Sequence, residues 1–189
     1  MLRDMPYSLT LTQQLTMMQN RWTVTRTDST PVDLGYITQK RMALKESVTC
    51  TTPDGAGVVF RIQGRKVIEL GGVYDVVDGD GASIGTLAKN FKASLGRSTY
   101  TVETPQGRWT LTETSQIQAI VRRIVSLADI PWFMRVQFSL MNESGAQVGH
   151  VNRANMKIKD TYDIKVEDDR LDMRMAAAMG VAVDAFMNR

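Results

Sequence analysis

Three things are scarce in this chain of 189 residues: cysteine, with Cys50 alone; histidine, with His150 alone; and apolar runs, the clearest being Met175 to Val183 (MAAAMGVAV). A single cysteine excludes an internal disulfide framework. A lone histidine with no second Cys or His at ligand spacing removes the usual parts of zinc and thiol chemistry. The apolar run is far short of the roughly 20 residues that span a bilayer, and Asp184 follows it directly. Charge of one sign is also modest. A formal net charge of +3, from 23 basic and 20 acidic side chains, permits contact with phosphates but does not call for nucleic acid. The start of the chain (MLRDMPYSLTLTQQ) lacks the apolar core of a signal peptide, so a reducing cytoplasm is the expected compartment.

What is present is mostly β-pattern. At 43% hydrophobic residues the chain can bury a sizeable core, and its length suits one domain over 1–189. After a polar start, Leu15 to Arg26 and the segments around Tyr36 and Val48 read as short strands. Thr51 to Gly57 (TTPDGAG) is a turn, since Pro presets one φ angle and Asp-Gly accepts the unusual ones. Two more hairpins follow, one with Val58–Ile62 and Lys66–Leu70 on either side of Gln-Gly-Arg. The other joins Gly72–Val77 to Ile84–Ala88 through Asp78-Gly79-Asp80-Gly81.

Laid over one another, LGYITQK at Leu34, IGTLAKN at Ile84 and VGHVNRA at Val148 share an apolar-Gly-x-apolar core and a basic residue. Thr51–Gly55 rhymes with Thr104–Gly107, and Ser98–Val102 with Asp160–Ile164. β-rich sequences also rhyme by chance through their Gly turns. Three true units of about four strands each would give about twelve, enough to close a barrel and leave no sheet edge exposed.

Two segments follow the helical period instead. From 115 to 128 (SQIQAIVRRIVSLA) Ile117, Ile120, Val121, Ile124 and Leu127 share a face opposite Gln118, Arg122 and Ser126, with Ser115 as a cap and Pro131 as a stop. Such an amphipathic surface helix either caps the open end of a barrel or lies on a membrane, with Arg122, Arg123, Trp132 and Phe133 as the membrane contacts. The second helix, placed at 169–187, is apolar at every angle from Met175 to Val183 and must be enclosed by protein. Its acidic approach, Glu167-Asp168-Asp169 and Asp172, suits the N-terminal end of a helix.

Together these features resemble the LURP-one-related family, relatives of the phospholipid scramblases and the tubby C-terminal domain. The resemblance is carried by Val73-Tyr74-Asp75-Val76 with its Asp-Gly turn and Ile84-Gly85-Thr86-Leu87, by Asp129-Ile130-Pro131, by Gly145 to Gly149 with Arg153, and by Tyr162 to Asp184. It is close over Val67 to Arg189 and general before that. It implies a mainly β fold: a tubby-like closed barrel of about twelve strands enclosing the hydrophobic C-terminal helix.

No catalytic constellation emerges, and no cofactor is expected. His150 sits in a strand pattern, and Cys50 reads as a small core residue. Asp78-Gly79-Asp80-Gly81 could be read as a calcium loop, but Lys89 stands where the closing Glu belongs, so a hairpin turn is expected and no metal site. The glycine pairs lack the strand-to-helix setting of phosphate loops. Lys40 and Arg41, with Lys89, Lys92 and Arg97, fall in corresponding places after the repeated Gly motif. They are either ordinary solvated side chains or one positive surface for lipid headgroups. The resemblance implies the same ligand class. The expectation is thus a non-enzymatic module binding anionic phospholipid peripherally at the inner membrane face. The alternative is a protein-interaction or structural module with a protein partner and no lipid ligand.

Overall fold

The computed structural model describes residues 6–15, 19–40, 47–64, 72–90, 98–114, 136–155 and 160–187. Twelve antiparallel strands run in order: β1 (Tyr7–Leu15), β2 (Gln19–Arg26), β3 (Val32–Lys40), β4 (Ser47–Thr51), β5 (Val58–Gly64) and β6 (Val73–Asp78). They continue with β7 (Ser83–Lys89), β8 (Thr99–Thr104), β9 (Gly107–Glu113), β10 (Val136–Asn142), β11 (Gln147–Asn155) and β12 (Asp160–Val166). Each pairs with its sequence neighbours and β12 returns to β1, closing the barrel. Period-two alternation drives this: Leu9, Leu11, Trp22, Val24, Leu111 and Ile164 are buried, while threonines such as Thr10, Thr12, Thr23, Thr110 and Thr112 take the other face. β-branched, uncharged threonine favours the pleated backbone and tolerates water.

The threefold repeat is real and in register. Gly35, Gly85 and Gly149 pair with Val24, Val76 and Leu140, and in each case the next step skips one residue, leaving Leu34, Ile84 or Val148 as the extra residue of a β-bulge. Two residues on, Ile37 faces Cys50, Leu87 faces Val102 and Val151 faces Ile164. Those residues face Phe60, Trp109 and Leu9 in turn. The units are therefore β3–β6, β7–β10 and a third made of β11, β12, β1 and β2. A Cβ at Gly35, Gly85 or Gly149 would lie 2.1, 2.4 or 2.2 Å from the carbonyl oxygen of Thr51, Glu103 or Lys165, so the same steric demand selects glycine three times.

Among the described residues the helix is α1 (Met173–Met187). Residues 169–172, expected as its first turn, form the turn before it, and Asp172 caps it by accepting the Arg174 amide at 2.8 Å. All side chains from Met175 to Val183 are buried, and α1 packs against β1 and β12 as well as β5 and β7, strands from opposite sides of the closed order. The amphipathic helix expected at 115–128 and the strand expected at Lys66–Leu70 lie outside the described residues, but the hairpin expected to turn at Gln63-Gly64-Arg65 is not formed: Gln63 and Gly64 continue β5, whose partner on that side is β6, with Ile62 opposite Val76 and Gly64 opposite Tyr74. One strand was unexpected: Tyr7-Ser8-Leu9-Thr10-Leu11-Thr12 is β1 rather than a polar lead-in.

Gly180 shows how closely α1 is approached. A Cβ there would sit 2.7 Å from Ile164 Cδ1 and 3.1 Å from Leu11 Cδ2. Both are the mobile ends of side chains, and alanine gains about 1 kcal/mol of helix propensity over glycine. Gly180→Ala is expected to change the unfolding free energy by less than about 1 kcal/mol in urea titrations, since crowding and propensity oppose each other.

Candidate functional site

The antiparallel order gives the barrel two unlike ends. At the near end lie the β2–β3, β4–β5, β6–β7, β8–β9 and β10–β11 connections and the segment 167–172 leading into α1. These carry eight Asp and Glu and a single Arg. From the far end leave the β1–β2, β3–β4, β5–β6, β7–β8, β9–β10 and β11–β12 connections, with eleven Lys and Arg against three Asp and Glu. By sequence, the basic residues thus fall in connections that join far strand ends and the acidic ones in those that join near strand ends.

The near end is built by short turns with internal partners. Asp78 accepts the amides of Asp80 and Ala82 at 3.0 and 2.8 Å, and the neutral Asn142 accepts those of Ser144 and Ala146 at 3.1 and 2.9 Å in the matching turn. An Asn serving in the same way means that this role of Asp78 is turn formation and needs no charge. Asp168 ties the linker down: it accepts Trp109 Nε1 at 3.0 Å and Arg170 Nη2 at 2.7 Å on one oxygen, and Arg170 Nε at 2.9 Å on the other. The Arg170 hydrogen bond holds its carboxyl at about 2, against burial that pushes it up and with help from the Arg170 amide and Trp109. Tyr7 donates its hydroxyl to the Leu171 carbonyl at 2.9 Å, and burial first, then Asp172 and Asp168, raise its pKa.

Beside this linker a cavity of about 670 Å³ opens between the start of α1 and β1–β5. Its wall is Tyr7, Val24, Leu34, Cys50, Val59, Phe60 and Leu171 with Met173 and Ala177 of α1, and its rim is Gln106, Asp169, Arg170, Asp172 and Arg174. The exposure of Gln106, Asp169 and Arg170 shows that it reaches solvent. Burial pushes the Cys50 thiol up to about 12, so this cysteine is a protonated wall residue and not a nucleophile at neutral pH. His150 is half-buried on β11, opposite Ser139 and Lys165 in register.

Of the basic residues expected to act together, Lys40 ends β3 and Lys89 ends β7, both at the far end. Lys89 is half-buried in the row of Gly85 and Leu87, whereas Lys40 is one residue out of phase with the equivalent position, Gln39. Arg41, Lys92, Arg97, Arg122, Arg123, Trp132 and Phe133 lie outside the described residues, in connections that leave strands at the far end. The near-end cavity was not anticipated, because it depends on which side chains of α1 meet which strand. The charge bias is readable in principle: alternate connections in a meander share an end, and here those that carry charge alternate in sign, β1–β2 and β8–β9 carrying none.

A protein-family model described as LURP-one-related matches residues 34–184, well over half of the chain. The match runs from β3 into α1 and leaves out β1 and β2, which complete the third unit. No curated protein and no solved structure matches.

Proposed function

The chain belongs to the LURP-one-related family, and from that premise we propose that it is a non-enzymatic module binding anionic phospholipid at the cytoplasmic face of a membrane through the far end of its barrel. The observation that carries this reading is the charge bias of the connecting segments in the sequence, with eleven basic residues in those that join far strand ends and eight acidic ones in the near-end segments. A peripheral protein of this polarity orients in the field of an anionic surface, and each basic residue near that surface contributes about 1 kcal/mol. Lys40 and Lys89 stand at strand ends there, and Arg41, Lys92, Arg97, Arg122 and Arg123 are in the connections beyond. Trp132 and Phe133, in the longest connection, supply apolar bodies suited to the headgroup boundary. No described helix is long and apolar enough to cross a membrane. α1 serves as the central helix of the barrel, which its contacts to strands on opposite sides and its unbroken burial support. With α1 filling the middle, the barrel presents ends and outer wall rather than a channel.

The test is co-sedimentation with vesicles of phosphatidylcholine alone and of phosphatidylcholine with phosphatidylserine. The expected result is binding to the second only, weakening as salt rises and the Debye length falls toward about 10 Å near 0.1 M. Arg41, Lys92, Arg97, Arg122 and Arg123 are then changed to Glu together, leaving half-buried Lys89 intact. At about 1 kcal/mol per residue this variant is expected to lose binding altogether while staying folded. Equal binding of both vesicles, or none, overturns the proposal, and absence of binding turns attention to a protein partner.

A further inference from the structure

We propose that the near-end cavity beside the start of α1 is a binding site for a single apolar chain whose head group carries no negative charge. It stands at the opposite end of the barrel from the basic connections, and it does not rest on the membrane-binding reading.

The repeat itself marks the site as special. Cys50 faces Phe60 where the other two units place Val102 against Trp109 and Ile164 against Leu9. The first unit thus has the smallest side chain of its set at that strand position. It also has a bulge the others lack: between Cys50 and Thr51 the β4–β5 register shifts and leaves Val59 extra, whereas β8–β9 and β12–β1 pair without a shift. Ala177 on α1 adds no bulk from the other side. The result is a hollow of about 670 Å³ in one third of a barrel whose other two thirds carry larger side chains at that position. That volume lies within the roughly 300 to 1,000 Å³ of small-molecule sites. An apolar guest makes dispersion contacts with such an apolar wall.

The rim selects the head group. Arg170 is engaged by Asp168 at 2.7 Å and Arg174 by Asp172 at 2.7 Å, so each guanidinium already has its anion. Asp169 stands exposed on the same rim. The near-end connections add further acidic charge around it. A carboxylate or phosphate head would be desolvated next to carboxylates with no unengaged arginine to meet it, whereas a hydroxyl head or an ammonium finds acceptors. The chemistry is that of a monoacylglycerol-like or alkylammonium amphiphile and excludes a free fatty acid.

The probe is N-phenyl-1-naphthylamine, uncharged and fluorescent in apolar surroundings, titrated into the full chain. Binding at micromolar concentration is expected, with displacement by monodecanoylglycerol and by decyltrimethylammonium, and with decanoate at least ~10-fold weaker. In methyl NMR spectra of the native chain, monodecanoylglycerol is expected to shift Val24, Leu34 and Val59 and to leave Leu140 and Val151 in place. Cys50→Ile, which copies the residue at the equivalent Ile164, is expected to weaken the probe by ~10-fold or more, and Thr49→Val on the outer row to leave it unchanged. Absence of probe binding, methyl shifts confined to other residues, unaltered affinity in a folded Cys50→Ile chain, or decanoate matching the neutral competitor would each overturn the proposal. Should Cys50→Ile fail to fold, the methyl shifts of the native chain decide.

Discussion

Replacing Gly149 by alanine is expected to destabilise the barrel by about 3 kcal/mol, the upper end of the range for overpacking a tight site. The added Cβ would lie 2.2 Å from the Lys165 carbonyl oxygen and 3.3 Å from both the Lys165 carbonyl carbon and Val166 Cα, all of them backbone. A side chain in that position could rotate away, but the β12 backbone cannot move without opening its ladders with β11 and β1 in a closed barrel. In an ordinary strand the same exchange would stabilise, because glycine is the more flexible residue when unfolded. The sign is therefore set by the close approach at the bulge. At about 2 to 4 °C per kcal/mol for a chain of this size, the melting temperature is expected to fall by about 6 to 12 °C in calorimetry. Gly145→Ala is the control: its φ of +79° strains any L side chain, but nothing lies within 4 Å, so the left-handed conformation alone costs about 1 to 2 kcal/mol. If the two variants melt together, the packing argument for Gly149 fails.

The same glycines explain why the barrel was legible. A carbonyl 2.1 to 2.4 Å from the ideal Cβ position admits only hydrogen, so the sequence repeats Gly at three equivalent places whatever else drifts around it. The adjoining apolar residue, Leu34, Ile84 or Val148, recurs because each is the extra residue of the bulge. β1 is masked in the sequence for a complementary reason. Its outward positions are Ser8, Thr10 and Thr12, and a polar residue at every second place looks like a polar lead-in unless the alternation with Tyr7, Leu9 and Leu11 is counted. That stretch has a counterpart within the chain: Trp109-Thr110-Leu111-Thr112-Glu113 of β9 parallels Leu9-Thr10-Leu11-Thr12-Gln13 of β1 at equivalent register positions.

The site was legible only in part. Charge is a property of composition along the chain, so the grouping of basic residues after the Gly motif could be read without coordinates, and strand direction then assigns those connections to one end. The cavity is different in kind. It arises from a small residue on β4, an extra residue on β5 and a small residue on α1, and nothing in the spacing of Cys50, Val59 and Ala177 announces that they meet. The acidic run before α1 reads as suited to a helix N-terminus, and Asp172 does cap it. Asp168 instead reaches Trp109, 59 positions away in sequence, which no local rule supplies.

That contact carries the second large effect. Asp168→Asn removes the charge that Arg170 and Trp109 share, and losing charge-assisted hydrogen bonds at a side chain only 7% exposed is expected to cost about 2 to 3 kcal/mol at pH 7. The pH dependence identifies the cause. Arg170 lowers the Asp168 carboxyl from 3.8 to about 2 in the folded chain, against burial that raises it. A group whose pKa is depressed by folding stabilises above its unfolded value and loses that contribution as pH falls through its folded one. The native chain is thus expected to lose stability between about pH 4 and pH 2, while the Asn variant, lacking the carboxyl, loses less. Asp28 is lowered to about 2 as well, chiefly by its hydrogen bond from Arg26, so the variant keeps some slope over the same interval. Urea unfolding at neutral pH and at steps down toward pH 2 gives the comparison, with the gap between native and variant narrowing as acid is added. A gap that stays constant would mean that Asp168 acts by shape and polarity rather than by charge, and the linker would then be held chiefly by the Tyr7 hydroxyl on the Leu171 carbonyl.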